Sequence, residues 1–565
     1  MEATVWLQLV VIVVLGALNL CAAENLVPGG DFTEAKKGKI DWCRREGGAT
    51  GAFVLAVALV PGVREMKPVE GMYSLRAAMP CPWYDWTDYD TVGQCLAKAN
   101  CVETRDASLP PEGYSLKVAP GRIEIASSDE AGAFYARETL KQLTAKVSTD
   151  SVEIACCEIR DWPRYRWRGL LIDEARHFLG KNVVMRVLDQ MAQHKLNVLH
   201  WHLVDDQGWR LEIKSHPELV KYGSVRPRSV KMGTHARWLP PDKKLSFEYD
   251  TETYGPYFYS HDDVREILAY ARVRHITVVP EIELPGHVRA LLAAHPELSC
   301  RGDLERIPRV AWSIEKDVLC VGNDAAIRLL EEVFDEVCEL FPDTPYIHIG
   351  GDECPRDRWK ECPKCQARMR ALGLKDESGL QSWITSHFVG YIERKGRRAV
   401  GWDEVLAGDV PTSTVGMTWR MSAKGGAMTH FVSAPEAVGR GHDMVMTPSA
   451  CCYLSKRQFA SGDPYPYYGV RLGSPLTIEK VYAFDPCAGI PEEGRRYIIG
   501  GQACVWGESV FNVFDFEWKT WPRGCALAEV LWLGESKPAY EDFLGRMRAH
   551  RARLIEQGVN CAPLE

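Results

Sequence analysis

From residue 165 onward, apolar positions follow two rhythms that take turns. Short continuous apolar runs, typical of strands buried on both faces, give way to stretches where apolar residues recur at helical spacing. Eight runs read as strands: 168–173 (RGLLID), 196–202 (LNVLHWH), 275–281 (HITVVPE), 345–350 (PYIHIG), 397–402 (RRAVGW), 414–419 (TVGMTW), 442–447 (HDMVMT) and 497–502 (YIIGGQ). Helical spacing covers 181–194, 261–273, 323–340 and 376–395. Alternating strands and helices predict a parallel sheet. Eight units between residue 165 and about 545 predict an α/β fold, a (β/α)8 TIM barrel with long insertions. Upstream, YSLKVAPGRIEIASSDEAGAFYARETLKQL (114–143) shows strand alternation, a Pro-Gly turn, a second strand and a helix capped by Ser127-Ser128-Asp129. The text between 62 and 112 is irregular and yields no elements. Asp161-Trp162-Pro163-Arg164 reads as a junction. The expected organisation is a leader or anchor over 1–23, an N-terminal region with a small α/β domain over 24–160, and the barrel with a C-terminal helix over 161–565.

In such a barrel, polar residues just past the strand C-termini face one mouth, where chemistry sits. That rim reads Asp173 and Arg176; His202, Asp205 and Asp206; Glu281, Glu283 and His287; Asp352 and Glu353; Trp402, Asp403 and Glu404; Trp419 and Arg420; Tyr453; Trp506 and Glu508. Each segment has a structural explanation as a cap, an ion pair or a core aromatic, but the whole set fits a site better. The most informative segment is YIHIGGDECP (346–355), where a buried strand runs through Gly350-Gly351 into Asp352-Glu353. Acids at such an exit are costly unless paired or used. Each raises the other's proton affinity, so one is expected to keep a proton near neutral pH and serve as a general acid. The simpler alternative is an acid capping the next helix.

Composition narrows the function. Of 565 residues 46% are hydrophobic, which is ordinary for a globular protein. The net charge of −8, with no basic stripe interleaved with aromatics, argues against nucleic-acid binding. Eighteen Trp and 21 Tyr supply many aromatic faces, which stack on sugar rings as readily as they fill a core. Residues 5–20 (VWLQLVVIVVLGALNL), followed by Cys21-Ala22-Ala23-Glu24, resemble a secretory leader cleaved after Ala23. Because Glu2 and no Lys or Arg precede the run, a retained or lipidated anchor is the alternative. Either implies export, to the periplasm, outer surface or medium of a bacterium, with membrane contact only through that N-terminus. Losing Cys21 leaves 18 of the 19 Cys, an even number for which disulfides are plausible after export. Cys362-Pro363-Lys364-Cys365, with Cys354 nearby, suits a metal site or a redox pair, though a local disulfide or buried free thiols is the simpler expectation.

RGLLIDEARHF, NVLHWHLVDDQGWRLEI, VPEIELPGH, HIGGDE, GWDEV, VYAFDP and GGQACVWGE together resemble the β-N-acetylhexosaminidases of glycoside hydrolase family 20, with a bacterial look. The resemblance covers about 165–545 and, less specifically, 114–160. It implies an exo-acting hydrolase of glycans ending in β-linked GlcNAc or GalNAc, with no cofactor and no metal ligand. It implies Glu353 as general acid/base, Asp352 orienting the substrate's 2-acetamido group, and Tyr453 holding the acetamido oxygen. Trp402, Trp419 and Trp506 would wall the acetamido methyl and the sugar face. Arg176 and Glu508 would bind hydroxyls of the terminal sugar, and Asp205 and His287 would support them. If both acids lie on a strand, their side chains leave in opposite directions. That suits a pair sharing substrate-assisted catalysis, one of the exceptions to the two-carboxylate rule. The acetamide oxygen then attacks, an oxazolinium ion forms, and water opens it with retention. Ser455 stands where the family usually has an acid, and Glu283 where an aspartate is common.

Two other readings remain at this point. One is a non-catalytic N-acetylhexosamine-binding protein on the same barrel. The other is a metal-dependent hydrolase using His200, His202, His287 and His348, although no HExxH spacing is present.

Overall fold

The computed structural model describes residues 58–76, 100–146, 151–231, 237–239, 244–246, 248–420, 431–460 and 475–565. The expected leader at 1–23 and part of the irregular stretch at 62–112 lie outside these residues. Eight parallel strands close into a barrel: β1 (Trp167–Asp173), β2 (Val198–His202), β3 (Thr277–Glu281), β4 (Tyr346–His348), β5 (Arg398–Trp402), β6 (Val415–Thr418), β7 (Met444–Met446) and β8 (Ile498–Val505), with β8 pairing back onto β1. All eight expected strands are present. Every residue of β1 and β8 is buried, which is why their sequences read as continuous apolar runs.

The expected helices form at Lys181–Gln193, His261–Arg272, Asp324–Leu340 and Glu377–Arg394. Three of them start where a side chain satisfies orphan backbone N–H groups: Ser260 in a reciprocal capping box, Asn323 and Asp376. Their apolar faces pack outside the strands. Inside the barrel a smaller apolar cluster (Leu171, Val198, Val279, Val400, Val415, Met417 and Val445 among others) is topped by Trp402, with Trp419, Tyr453 and Trp506 packed against it. No helix among the described residues is long and apolar enough to cross a membrane.

Ahead of the barrel, a sheet of six strands (Glu65–Arg76, Cys101–Arg105, Tyr114–Ala119, Arg122–Ser127, Thr144–Lys146 and Ser151–Asp161) carries the helix Glu130–Leu143. Asp129 caps that helix, accepting from the Gly132 N–H at 2.8 Å. The junction is a buried charge cluster. Asp161, wholly buried, accepts from Lys195 Nζ at 3.0 Å, Tyr114 Oη at 2.9 Å and Trp532 Nε1 at 2.9 Å. Arg168 of β1 adds an ion pair to Glu112 of the small domain at 2.6 Å. Buried charges this well partnered hold their elements in one geometry, because breaking one pair strands the other charge.

Candidate active site

Strand register builds the floor of the site. Asp173 pairs with His202, His202 with Glu281 and Glu281 with His348, so four polar residues from β1 to β4 share one level at the strand ends. Glu281 is wholly buried and is contacted by three imidazoles: His202 Nδ1, His200 Nε2 at 3.1 Å and His348 Nδ1 at 2.7 Å. It also accepts from the Trp402 indole N–H at 2.9 Å. Burial alone would raise its proton affinity, but the surrounding histidines hold it well below the carboxylate range. Burial opposes protonation of His202, yet Glu281 and Asp205 win and push it up to about 10. His200 has less compensation, and burial takes it down to about 4. The column continues inward through Gln502, which donates to His200 Nδ1 at 2.8 Å and accepts from the Trp167 indole at 3.2 Å. One buried anion thus fixes Trp402 and orients His202.

At the β1 exit, Asp173 accepts from the Ala175 N–H at 3.0 Å and from the Gly507 N–H at 2.8 Å. The second bond ties the β1 exit to the β8 exit and sets Glu508 beside Arg176. A side chain at 507 would put Cβ 2.8 Å from the Asp173 carbonyl oxygen. Arg176 bonds Asp173 at 3.0 Å, Asp205 at 2.7 Å and Gln207 at 3.1 Å, and lies over the Trp506 ring. Burial raises the Glu508 carboxyl, with Arg176 opposing. Two buried arginines pin the backbone of this corner. Arg210 donates to the carbonyls of Glu174, Ala175, Ser224 and Tyr257, and Arg226 to those of Arg176 and Gln207.

Asp352 and Glu353 do not lie on a strand. β4 ends at His348, and the chain turns through Gly350 (φ 63°), Gly351 (φ 96°) and Glu353 (φ 47°). The strand-alternation argument therefore does not apply to this pair. Neither acid caps a helix either, since the next one starts at Asp357 after Arg356. Gly350 has no room for a side chain, because a Cβ there would stand 1.6 Å from Glu283 Oε2. What joins the two carboxylates is His287. Its Nε2 lies 3.7 Å from Asp352 Oδ2 and 3.6 Å from Glu353 Oε2. Its Nδ1 faces Asp205 Oδ1 at 3.3 Å and Asp206 Oδ2 at 3.4 Å. Burial works against a charged ring, but these acids keep His287 protonated well above its ordinary range.

The two acids differ in depth. The Asp352 side chain is 14% exposed and that of Glu353 35%, so Asp352 faces inward and Glu353 the mouth. Burial, reinforced by Glu404 and Glu353 and opposed by His287, pushes Asp352 up to about 7. Glu353 also loses water, but His287, with Arg176 and Arg420 behind it, outweighs that and holds it below the ordinary value. Of the two carboxyls, Asp352 therefore has the higher proton affinity in the free site. Asp352 Oδ1 and Trp506 Nε1 are buried with no hydrogen-bond partner among the described residues. Such groups in a polar site point to a ligand.

The aromatic wall is contiguous. Trp419 and Tyr453 stack at 6.3 Å, Tyr453 meets Trp506 edge-on at 5.9 Å, and Trp506 meets Trp402 at 5.6 Å. Tyr453 is held by a bridge to Cys504 of β8 and lies within electrostatic reach of Asp352. Ser455 sits half-buried on the turn that follows. All ten expected site residues thus lie on the loops and strand ends of this one face.

The sequence reading gave no role to several residues that shape the site. Glu404 accepts from the Glu353 N–H at 3.2 Å and from the Trp419 indole at 3.3 Å, and it pairs with Arg420 at 2.5 Å. Asp403 caps the Trp419 N–H at 3.2 Å and also pairs with Arg420 at 2.5 Å. The consecutive acids of GWDEV and the Trp-Arg pair at 419–420 were the available signal.

The profile of "Glycosyl hydrolase family 20, catalytic domain" matches residues 165–535, and that of "Glycosyl hydrolase family 20, domain 2" matches 86–162. A beta-hexosaminidase of Porphyromonas gingivalis is 39% identical over 465 residues, 80% of this chain and 55% of that protein, so the chain spans about half of that relative. A beta-hexosaminidase of Vibrio furnissii is 34% identical over 79% of this chain and 68% of its own length. Among solved structures, the exo beta-N-acetylglucosaminidase of Vibrio harveyi, in complex with N-acetylglucosamine, superposes with a TM-score of 0.76 at 28% identity. The match covers 92% of this chain and 80% of that one.

Proposed function

The chain belongs to glycosyl hydrolase family 20, and on that premise we propose that it is an exo-acting β-N-acetylhexosaminidase. It removes terminal β-linked GlcNAc or GalNAc from glycans, with the substrate's own acetamide as nucleophile. The observation that carries this reading is the pairing of a deeper carboxylate, with one oxygen left unbonded, with a shallower one. Asp352 is half-buried near Tyr453 with its Oδ1 buried and unbonded, and the more exposed Glu353 faces the mouth. An acetamide placed within the aromatic wall offers its N–H to Asp352 and its carbonyl oxygen to the anomeric carbon. Tyr453 Oη holds that oxygen on line, and Trp402 and Trp419 exclude water from the methyl group. Glu353 gives its proton to the glycosidic oxygen as the bond breaks, and an oxazolinium ion forms. Glu353 then takes a proton from the water that opens this ion, giving the hemiacetal with retained configuration. Because attack is intramolecular, positioning supplies much of the rate.

The proton inventory adds one requirement. In the free site Asp352 has the higher proton affinity, whereas the reaction needs the proton on Glu353. An acetamide N–H beside Asp352 favours its ionised form, and a sugar over Glu353 removes the water that favours ionisation there. Substrate binding thus moves the proton to where it is used. In this reading Arg176 and Glu508, at the corner between β1 and β8, bind outer hydroxyls of the sugar.

The test is hydrolysis of an aryl N-acetyl-β-glucosaminide by the wild type, Asp352→Asn and Glu353→Gln. Asp352→Asn is expected to lose rate and affinity for a thiazoline mimic of the intermediate together. Glu353→Gln should lose rate while still binding the mimic. Full activity in either variant would overturn the assigned roles, and binding without turnover by the wild type would favour the lectin-like alternative.

A further inference from the structure

Away from the rim, four cysteines from two separate insertions converge. Cys300 and Cys320 belong to the loop between β3 and β4, and Cys362 and Cys365 flank the first turn of the helix Pro363–Ala371. Cys320 Sγ lies 3.6 Å from Cys362 Sγ and 3.7 Å from Cys365 Sγ, and Cys300 Sγ lies 3.8 Å from Cys365 Sγ. All four sulfurs fall within 4.8 Å of one another. Cys320, Cys362 and Cys365 are buried and Cys300 is partly so. Of the two simpler expectations, a local disulfide or buried free thiols, the structure has the second: the described cysteines are free thiols, and Cys354 is not part of the group.

A tetrahedron of thiolates about 2.3 Å from a central ion has sulfur–sulfur edges of about 3.8 Å, and the three distances above bracket that edge closely. The backbone fits the same purpose. Ser299 and Leu319 pair as an antiparallel bridge, which ties together the segments that carry Cys300 and Cys320 and sets the two diagonally across it. Gly322 meets the second pair backbone to backbone, for a Cβ there would stand 2.2 Å from the Lys364 carbonyl carbon and 2.3 Å from the Cys365 nitrogen.

We propose that Cys300, Cys320, Cys362 and Cys365 bind one zinc ion as a closed, structural tetrathiolate site that staples the loop after β3 to the loop after β4. Four thiolates with no fifth donor select zinc over harder cations and leave no open position for chemistry. The staple lies behind the catalytic loops. The Leu319 N–H donates to the Pro285 carbonyl at 3.0 Å, and Leu319 accepts from the Trp359 indole at 2.9 Å. Pro285 is two residues from His287, and the Cys362–Cys365 turn follows Asp352 and Glu353 on the same insertion. The site thus couples the two segments whose approach brings His287 against both acids. This proposal does not depend on the hexosaminidase reading, because its readouts are metal and thiols.

The experiment uses the full chain, expressed with zinc in the medium and purified without chelator. Elemental analysis is expected to give one equivalent of zinc, released when a mercurial reagent titrates the thiols. All four cysteines should be alkylated only after denaturation with chelator. Cobalt-substituted protein should show the charge-transfer and d–d bands of a tetrahedral thiolate. Cys362→Ser/Cys365→Ser should lose the metal and melt at lower temperature. Peptide mapping that finds these four residues in disulfides would overturn the proposal. So would metal-free protein whose four thiols react, iron in place of zinc, or undiminished zinc in the double variant. The native measurements decide the matter even if the variant fails to fold.

Discussion

Replacing His287 by Gln removes the cation that lies between the Asp352 and Glu353 carboxylates while keeping an N–H donor of similar reach. The wild-type pair holds one proton over a window whose upper edge is set by Asp352 at about 7. Its lower edge is set by a Glu353 carboxyl held below the ordinary range. The kcat/KM profile should therefore be bell-shaped with an optimum on the acid side of neutrality, falling as pH rises through about 7 and the last proton leaves. At 3.7 Å and an effective dielectric near 20, His287 favours ionised Asp352 by about 4.5 kcal/mol, or about three pKa units. Asp352, 14% exposed, feels most of this, and Glu353, 35% exposed, a screened fraction. After relaxation, an alkaline displacement of about one to two units is expected for both limbs. At a pH below both acid-limb midpoints that corresponds to a loss of about ten- to a hundredfold in kcat/KM, and at pH 5 to a smaller one. The assay is the pH dependence of aryl N-acetyl-β-glucosaminide hydrolysis, alongside thermal melting to show that the variant is folded. A His287→Gln profile that superposes on the wild type after vertical scaling would refute the assignment of His287 as the group that sets both proton affinities.

Other consequences follow from the same geometry. Gly350→Ala places a side chain in a left-handed backbone, which costs about 1–2 kcal/mol, and forces Glu283 aside. The resulting shift of Asp352 and Glu353 should lower kcat about a hundredfold with a smaller change in melting temperature. His202 is raised from 6.5 to about 10 by its partners, so its contribution to stability is full below about 6.5 and is lost as pH rises through about 10. Denaturation midpoints should decline over that interval in the wild type and less steeply in Glu281→Gln, and parallel declines would contradict the pairing. Lys195→Met leaves Asp161 buried without its cation and should destabilise the fold by about 3–5 kcal/mol. At temperatures where it is folded, its kcat should be unchanged.

The barrel was legible because parallel strands buried on both faces write themselves as apolar runs. RGLLID and YIIGGQ could hardly be anything else, and the acids and aromatics just past them marked the mouth. The caps at Asp129, Asn323 and Asp376 depend on local backbone donors and accompany a local sequence pattern. What local pattern could not give was geometry set by distant chain. Asp352 and Glu353 looked like strand residues because Ile347-His348-Ile349 is apolar enough to extend the run, yet Gly350 and Gly351 turn the backbone before the acids are reached. Which acid holds the proton depends on His287, 65 residues upstream, and on Glu404 downstream. Cys362 and Cys365 announced themselves, but their partners Cys300 and Cys320 lie more than 40 residues away on another insertion. The organising role of Glu281 comes from imidazoles on two neighbouring strands, a relation no single segment displays.

The claim that the sugar supplies its own nucleophile is tested most directly by aryl glucosaminides whose N-acetyl group carries zero to three fluorines. Each fluorine weakens the amide oxygen as a nucleophile and leaves the leaving group untouched. Participation predicts that kcat/KM falls by orders of magnitude across the series. Rates that stay level from acetyl to trifluoroacetyl would mean that a protein group or water attacks instead, and would contradict participation by the acetamide.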